Sequence, residues 1–300
     1  MKRTTVVLAG IILLTGLTAA QSPKPGLKVF VSADMEGIWG VVHGDQTSPE
    51  SPAEYGPARR WMTDDVNAVV AGLFEAGATE VVVNDSHGSM RNIIPDELDP
   101  RATLISGSPK PLSMMQGIGG SFQACLFVGY HAKAGTEAAI LDHTISGSVI
   151  RGIRINGLEM PELGINAAIA GYFDVPVVMV SGDTAFCAQA KAMLGPGTVA
   201  VPVKEGVGRY AARLFPKDAA RKALRDGARE ALLQRTAAKV YKVEPPCRFE
   251  VGFQTSGQAE IVILLPAVER ADARTAVFST NDYLEGFKLM RAMIALATGR

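Results

Sequence analysis

Hydrophobic positions along the chain alternate between two textures. Short continuous apolar runs at residues 27–32, 79–83, 124–129 and 177–180 read as strands covered on both faces, since a half-exposed strand would alternate. Residues 52–76 instead carry Trp61, Met62, Val66, Val69, Val70, Leu73 and Phe74 at helical spacing and stop at Gly77, which predicts a helix with a glycine just past its end. Strand, long helix and strand make a βαβ unit with parallel strands and a right-handed crossover. A short strand at 103–105, a brief helix at 111–117 and a helix at 159–173 continue the order, the last closed by Asp174-Val175-Pro176. The expectation is an α/β fold: a mainly parallel central sheet flanked by helices, occupying residues 27–200 as the catalytic domain.

Beyond residue 200 the texture changes. Residues 217–235 form a charged, alanine-rich helical pattern, 248–254 and 273–279 read as strands, and 281–298 as an amphipathic helix with Asn281 as its N-cap. This predicts a smaller C-terminal α+β subdomain over 201–300 that supports, covers or oligomerises the first.

The opening of the chain has a different character again. Lys2 and Arg3 precede an apolar stretch at 6–17, and Thr18-Ala19-Ala20 supplies small residues after it. This is the pattern of a secretory signal peptide over 1–20, so export to the periplasm or medium is expected, with no stable membrane span after its removal. Basic and acidic residues balance at 30 each, and loss of Lys2 and Arg3 leaves the remainder slightly acidic. Such a balance disfavours nucleic acid as a partner. The cysteines Cys125, Cys187 and Cys247 are widely spaced without a CxxC pair, and Cys125, inside an apolar run, reads as a buried thiol.

The candidate chemistry lies at strand ends. The chain has four histidines. His87 follows the second apolar run in VNDSHG, His131 follows a later one in FVGYHA, and His143 sits on the loop after it in LDHT. The first run ends in Asp34-Met35-Glu36-Gly37. In a parallel sheet these ends share one edge, and carboxylates with imidazoles gathered in one crevice are what a hydrolytic metal site requires. Each residue alone has a plainer reading: DxEG as a solvated turn, Asp85 and Ser86 as turn residues, His131 as a satisfied core histidine, Glu162 as an acid favoured by the helix dipole. Glu159 competes with Glu162 for any metal role, and Asp85 is placed to orient the ring of His87. His43 lacks strand-end context. No GxSxG, GxxxxGK[ST] or strand-following GxGxxG is present, which leaves nucleophile-elbow, phosphate-loop and dinucleotide chemistry unrepresented.

Taken together, SADMEG, VNDSHG, ISGSPKPLSMMQG, FVGYHAKAGT, the Glu-Leu-Gly-Ile-Asn-Ala stretch from Glu162 and Gly257-Gln258-Ala259-Glu260 resemble the D-aminopeptidase family of the DppA type, which are zinc metallopeptidases. The likeness spans residues 28–297 and is weak at 41–54. It implies that Asp34, Glu36, His87, His131 and Glu162 are ligands of two zinc ions and that His143 is the catalytic histidine. It also implies an aminopeptidase acting on short, D-amino-acid-containing peptides and assembling into a large ring-like homo-oligomer. Five ligands are few for two tetrahedral sites, so one must bridge, and Asp34 is the natural candidate; Glu36 with His87, and His131 with Glu162, would complete the two ions. The leader is not part of the family pattern. Two other readings stay open at this level: another dinuclear metallohydrolase such as an amidase or esterase, and an exported metal- or peptide-binding protein without turnover, in which an uncoordinated His143 would have no purpose.

Overall fold

The computed structural model describes residues 26–299 together with Met1; the expected leader thus lies, Met1 apart, outside the described residues. In chain order the elements are β1 (Lys28–Ala33), α1 (Pro52–Glu75), β2 (Glu80–Asp85), β3 (Ala102–Ile105), β4 (Ala124–Val128), β5 (Ile150–Ile155), β6 (Leu158–Glu159), α2 (Glu162–Tyr172), β7 (Val177–Asp183), α3 (Thr184–Leu194), β8 (Val199–Gly208), β9 (Ala211–Leu214), α4 (Lys217–Leu233), β10 (Cys247–Phe253), α5 (Ser256–Val262), β11 (Glu269–Arg270), β12 (Thr275–Thr280) and α6 (Tyr283–Thr298). A seven-stranded sheet runs β3-β2-β1-β4-β7-β8-β9, parallel except for the β8–β9 hairpin. A second sheet, β11-β12-β10-β5-β6, is antiparallel throughout. The parallel sheet with its helices and the smaller sheet toward the C-terminus agree with the expected α/β architecture.

Both faces of the large sheet are covered, which is why its central strands are continuously apolar. Val29, Val31 and Ala33 of β1 and Leu126 and Val128 of β4 pack against Met62, Val66 and Leu73 of α1 and Leu224 and Ala228 of α4. On the other face Phe30, Cys125 and Phe127 join Leu163 and Ile169 of α2, Phe186 of α3, and Phe249, Phe278 and Met290 from the smaller sheet and α6. All three cysteines are buried and free.

The sheets divide the chain differently from a cut at residue 200. Strands β8 and β9 extend the large sheet and α4 covers it, while β5 and β6 precede residue 160 yet belong to the smaller sheet. Along β5 Ile150, Ile153 and Ile155 are buried while Arg151 and Arg154 are exposed, the mixed pattern of an antiparallel strand with one open face, which marks the transfer between sheets. The helix expected at 159–173 begins only at Glu162, because Pro161 holds the residue before it out of helical geometry and Leu158–Glu159 pair as β6. The brief helix at 111–117 is a single 3-10 turn over Ser113–Met115.

Strand order fixes where a ligand can sit. From β1 the chain moves outward to β2 and β3, then returns to β4 on the other side of β1 and continues to β7 and β8. The reversal between β1 and β4 opens a crevice beyond the carboxyl ends of those strands. Register levels those ends: Ala33 pairs with both Asp85 of β2 and Val128 of β4.

Candidate metal centre and active site

Residues Asp34 and Glu36 leave β1, His87 leaves β2 and His131 leaves β4, all at this crevice. Two glycines bring the loops into contact. Gly37 donates its amide to the Gly129 carbonyl at 2.7 Å, and a Cβ on Gly37 would lie 2.0 Å from the Tyr130 carbonyl oxygen. Gly129, at φ +71°, would set a Cβ 2.3 Å from the Asp34 carbonyl oxygen. Only backbone without side chains permits this approach. Glu162, the first residue of α2, enters from the opposite side, and its Oε1 accepts the Ile145 amide at 2.7 Å.

Asp34 occupies the centre. Its Oδ1 lies 3.3 Å from His87 Nδ1, and its Oδ2 lies 3.6 Å from His131 Nε2. Glu36 Oε2 stands 3.1 Å from His87 Nδ1, and Glu162 Oε1 stands 3.0 Å from His131 Nε2. Each oxygen of Asp34 thus faces a different histidine, and each histidine has a second carboxylate of its own. His143 stacks on His131, ring centroids 3.9 Å apart, with its Nε2 at 3.7 Å from Glu162 Oε1 and 4.0 Å from Glu36 Oε1. All six residues predicted from the sequence therefore meet at one place. Glu159, the competitor of Glu162, is exposed and pairs with Lys133 at 2.8 Å.

Each of the three imidazoles is held by a backbone carbonyl. His87 Nε2 donates to the Thr47 carbonyl at 3.0 Å, His131 Nδ1 to Ala132 at 3.0 Å and His143 Nδ1 to Leu141 at 2.8 Å. These bonds turn the other nitrogen of each ring toward carboxylates, so that once its proton is gone acceptor would face acceptor. Acceptor facing acceptor is unfavourable unless a cation stands between them. His131 Nε2 is buried, and although Glu162 Oε1 lies 3.0 Å away, the pair lacks hydrogen-bond geometry. Two groups of side chains have ligand atoms within 4.8 Å of one another: Asp34, Glu36 and His131, and His131, His143 and Glu162. Oxygen and imidazole donors in this number suit zinc.

The titration of the side chains shows the same demand for positive charge. Burial would lower the imidazoles, yet Glu162 lifts His131 to about 10, and Glu36 with Asp34 lifts His87 well above its usual range. Burial, with the charge of Glu36 added, raises Asp34 to about 7. His143 moves the other way, lowered by burial and by His131 beside it.

Several supporting residues were not visible from the sequence. Asp85 does not orient His87; its carboxylate accepts from the Ile93 amide at 2.7 Å and Asn92 Nδ2 at 2.8 Å, tying down the loop after β2, and the Thr47 carbonyl orients the ring instead. Ser86 turns inward to Ser32 Oγ at 2.8 Å, away from any nucleophilic role. Lys204 of β8 is fully buried, and its ammonium donates to the carbonyls of Glu36 at 2.6 Å, Ile38 at 2.8 Å and Val41. A lone lysine within the apolar VAVPVKEG run was the available signal. Around the site, the non-glycine residues Met90, Ser113, Leu141 and Ile145 hold φ between +49° and +62°. Such positions cost on the order of 1–3 kcal/mol each and persist where surrounding structure enforces them. Asp34, Glu36, His87, His143, Glu162 and Arg291 line one cavity of about 160 Å³.

The sequence profile of the D-aminopeptidase family, peptidase family M55, matches residues 27–292. The chain belongs to this family. It is thereby a metallopeptidase hydrolase. It is similar to a D-aminopeptidase of Bacillus subtilis (strain 168), with 38% identity over 275 residues, 90% of this chain and 98% of that protein. Among solved structures it is similar to the Zn-dependent D-aminopeptidase DppA from Bacillus subtilis, described as a self-compartmentalizing protease. That likeness has a TM-score of 0.88 and 34% identity, and it covers 91% of this chain and 99% of the other.

Proposed function

We propose that this protein is a zinc-dependent aminopeptidase that removes the N-terminal residue of short peptides containing D-amino acids. The observation that carries the reading is Asp34, with one carboxylate oxygen toward His87 and the other toward His131, each histidine backed by its own glutamate. In this reading Glu36 and His87 would hold one zinc ion per subunit and His131 and Glu162 a second, with Asp34 shared. Zinc, when bound, supplies Lewis acidity, drawing the ionisation of water toward neutral pH and polarising a carbonyl.

The chain's own groups do the rest. Leu141 holds the Nδ1 proton of His143, so Nε2 faces the cavity as a base. From there it can take a proton from attacking water and pass one to the departing amine. His143 also stands near enough to Glu162 to act as a ligand. Its Nε2 stands 3.7 Å from Glu162 and 4.0 Å from Glu36, against 3.1 Å for His87 to Glu36 and 3.0 Å for His131 to Glu162, which supports the role of a free base. The carboxylates lining the cavity favour a free ammonium, as cleavage at an N-terminus requires. A volume of about 160 Å³ falls below the roughly 300–1,000 Å³ of pockets that enclose drug-sized ligands. This supports short substrates.

The reading includes a large homo-oligomer enclosing its active sites. It is supported by the solved relative's self-compartmentalizing assembly and by exposed Leu158, Val207, Tyr210 and Leu214 on the β5–β6 and β8–β9 hairpins. Export is supported by the Lys2-Arg3 pair and the apolar stretch after it. Among the described residues no helix is long and apolar enough to cross a membrane.

The test is hydrolysis of D-Ala-D-Ala and L-Ala-L-Ala with zinc, with chelator and after zinc is restored. Cleavage of the D-dipeptide that chelator abolishes and zinc restores is expected. Absence of cleavage by zinc-loaded protein, or cleavage indifferent to chelator, would refute the reading.

A further inference from the structure

Arg291 is the permanently cationic side chain on the wall of the metal-site cavity, where the other charged residues are Asp34, Glu36 and Glu162. It emerges from α6 between the buried Met290 and Met293, and it is itself partly buried. Its position relative to the site is built in: Tyr283, at the start of α6, donates its hydroxyl to the Ile165 carbonyl of α2 at 3.0 Å, and α2 begins at Glu162. Burial draws its guanidinium partly out of water and lowers its hold on the proton, and among the described residues it makes no hydrogen bond or ion pair. Arg209, Arg213, Arg221 and Arg225 all hold carboxylates. A guanidinium drawn partly out of water without a partner among the described residues is poised for an anion, and its planar fork matches a carboxylate.

A short peptide carries its free carboxylate only a residue or two from its amine, and a small cavity must enclose both. We propose that Arg291 binds the C-terminal carboxylate of the substrate and thereby selects di- and tripeptides with a free C-terminus. This rests on the aminopeptidase reading and adds the class of substrate. Arg291 is a specificity-determining residue, distinct from the groups that hold metal or move protons.

The experiment compares zinc-loaded wild-type protein on D-Ala-D-Ala and on D-Ala-D-alaninamide, which differ only in the terminal charge. A charge-assisted hydrogen bond predicts a preference in kcat/KM for the acid of roughly 10- to 100-fold. In Arg291→Gln the preference for acid over amide should disappear, chiefly through KM of the acid, with zinc content unchanged; Arg291→Lys should recover part of the preference. Equal wild-type cleavage of both substrates overturns the proposal and leaves the aminopeptidase reading intact. A loss of kcat in Arg291→Gln that is equal for acid and amide also overturns it, assigning Arg291 to the transition state instead. If the wild type cleaves neither, the aminopeptidase reading fails and takes this proposal with it. The wild-type comparison needs no variant, so it decides even if Arg291→Gln does not fold.

Discussion

Replacing Lys204 by methionine tests whether the loop carrying Glu36 is held from below. Methionine matches the aliphatic stem of lysine, so the change removes the ammonium with little change in packed volume. Three carbonyls, those of Glu36, Ile38 and Val41, lose their charged donor inside a fully buried environment. Each hydrogen bond to a charged group contributes about 1.5–3 kcal/mol, and release of the ammonium's own desolvation penalty offsets part of their sum. A buried acceptor left without its donor costs about 1–3 kcal/mol, and burial already pushes Lys204 down to about 7, so the net loss is about 3–5 kcal/mol, a large share of the roughly 5–15 kcal/mol that stabilises a folded domain. At about 2–4 °C per kcal/mol, Lys204→Met should unfold roughly 10 °C below the wild type, measured by circular dichroism in chelator so that metal binding does not contribute. Because the Glu36 carbonyl is one of the three, zinc affinity should also weaken by about 10- to 100-fold, the usual effect of losing a group that positions a ligand. A melting temperature within about 2 °C of the wild type, together with unchanged zinc affinity, would refute the reasoning.

Other expectations concern the site itself. His143→Ala should keep the zinc content of the wild type while losing about 10²- to 10⁴-fold in kcat, the contribution of a positioned acid–base group; zinc lost together with turnover would make His143 a ligand. Gly37→Ala sets a Cβ 2.0 Å from a backbone oxygen of Tyr130, so the loops bearing Glu36 and His131 must separate. Zinc binding and activity should fall together, and a fully active Gly37→Ala protein would contradict the close approach. Glu159→Ala, which removes only an exposed partner of Lys133, should leave turnover and stability within error of the wild type.

The parallel sheet was legible because its strands are buried on both faces and therefore spell continuous apolar runs. Once β1, β2 and β4 are read as parallel neighbours, Asp34, Glu36, His87 and His131 must share an edge. What escaped the sequence is non-local. Strands β8 and β9 were missed because Lys204 and Glu205 interrupt the apolar pattern, and the reason for a buried lysine there is three carbonyls from a loop more than 160 residues earlier. The transfer of β5 and β6 into the second sheet depends on pairing with β10, about a hundred residues later. Thr47 contributes a carbonyl, which any residue type carries, so no side-chain signal could have found it. Arg291 lies in an amphipathic helix where an arginine beside methionines reads as a surface position until α2 is packed against it.

Sharing of Asp34 between two zinc ions is what the proposed chemistry depends on. Zinc per chain, measured by elemental analysis after exhaustive removal of free metal, tests it most directly in the wild type and in Asp34→Ala. Two zinc ions per wild-type chain and close to none in Asp34→Ala are expected. One ion in the wild type, or two retained by the variant, would contradict it.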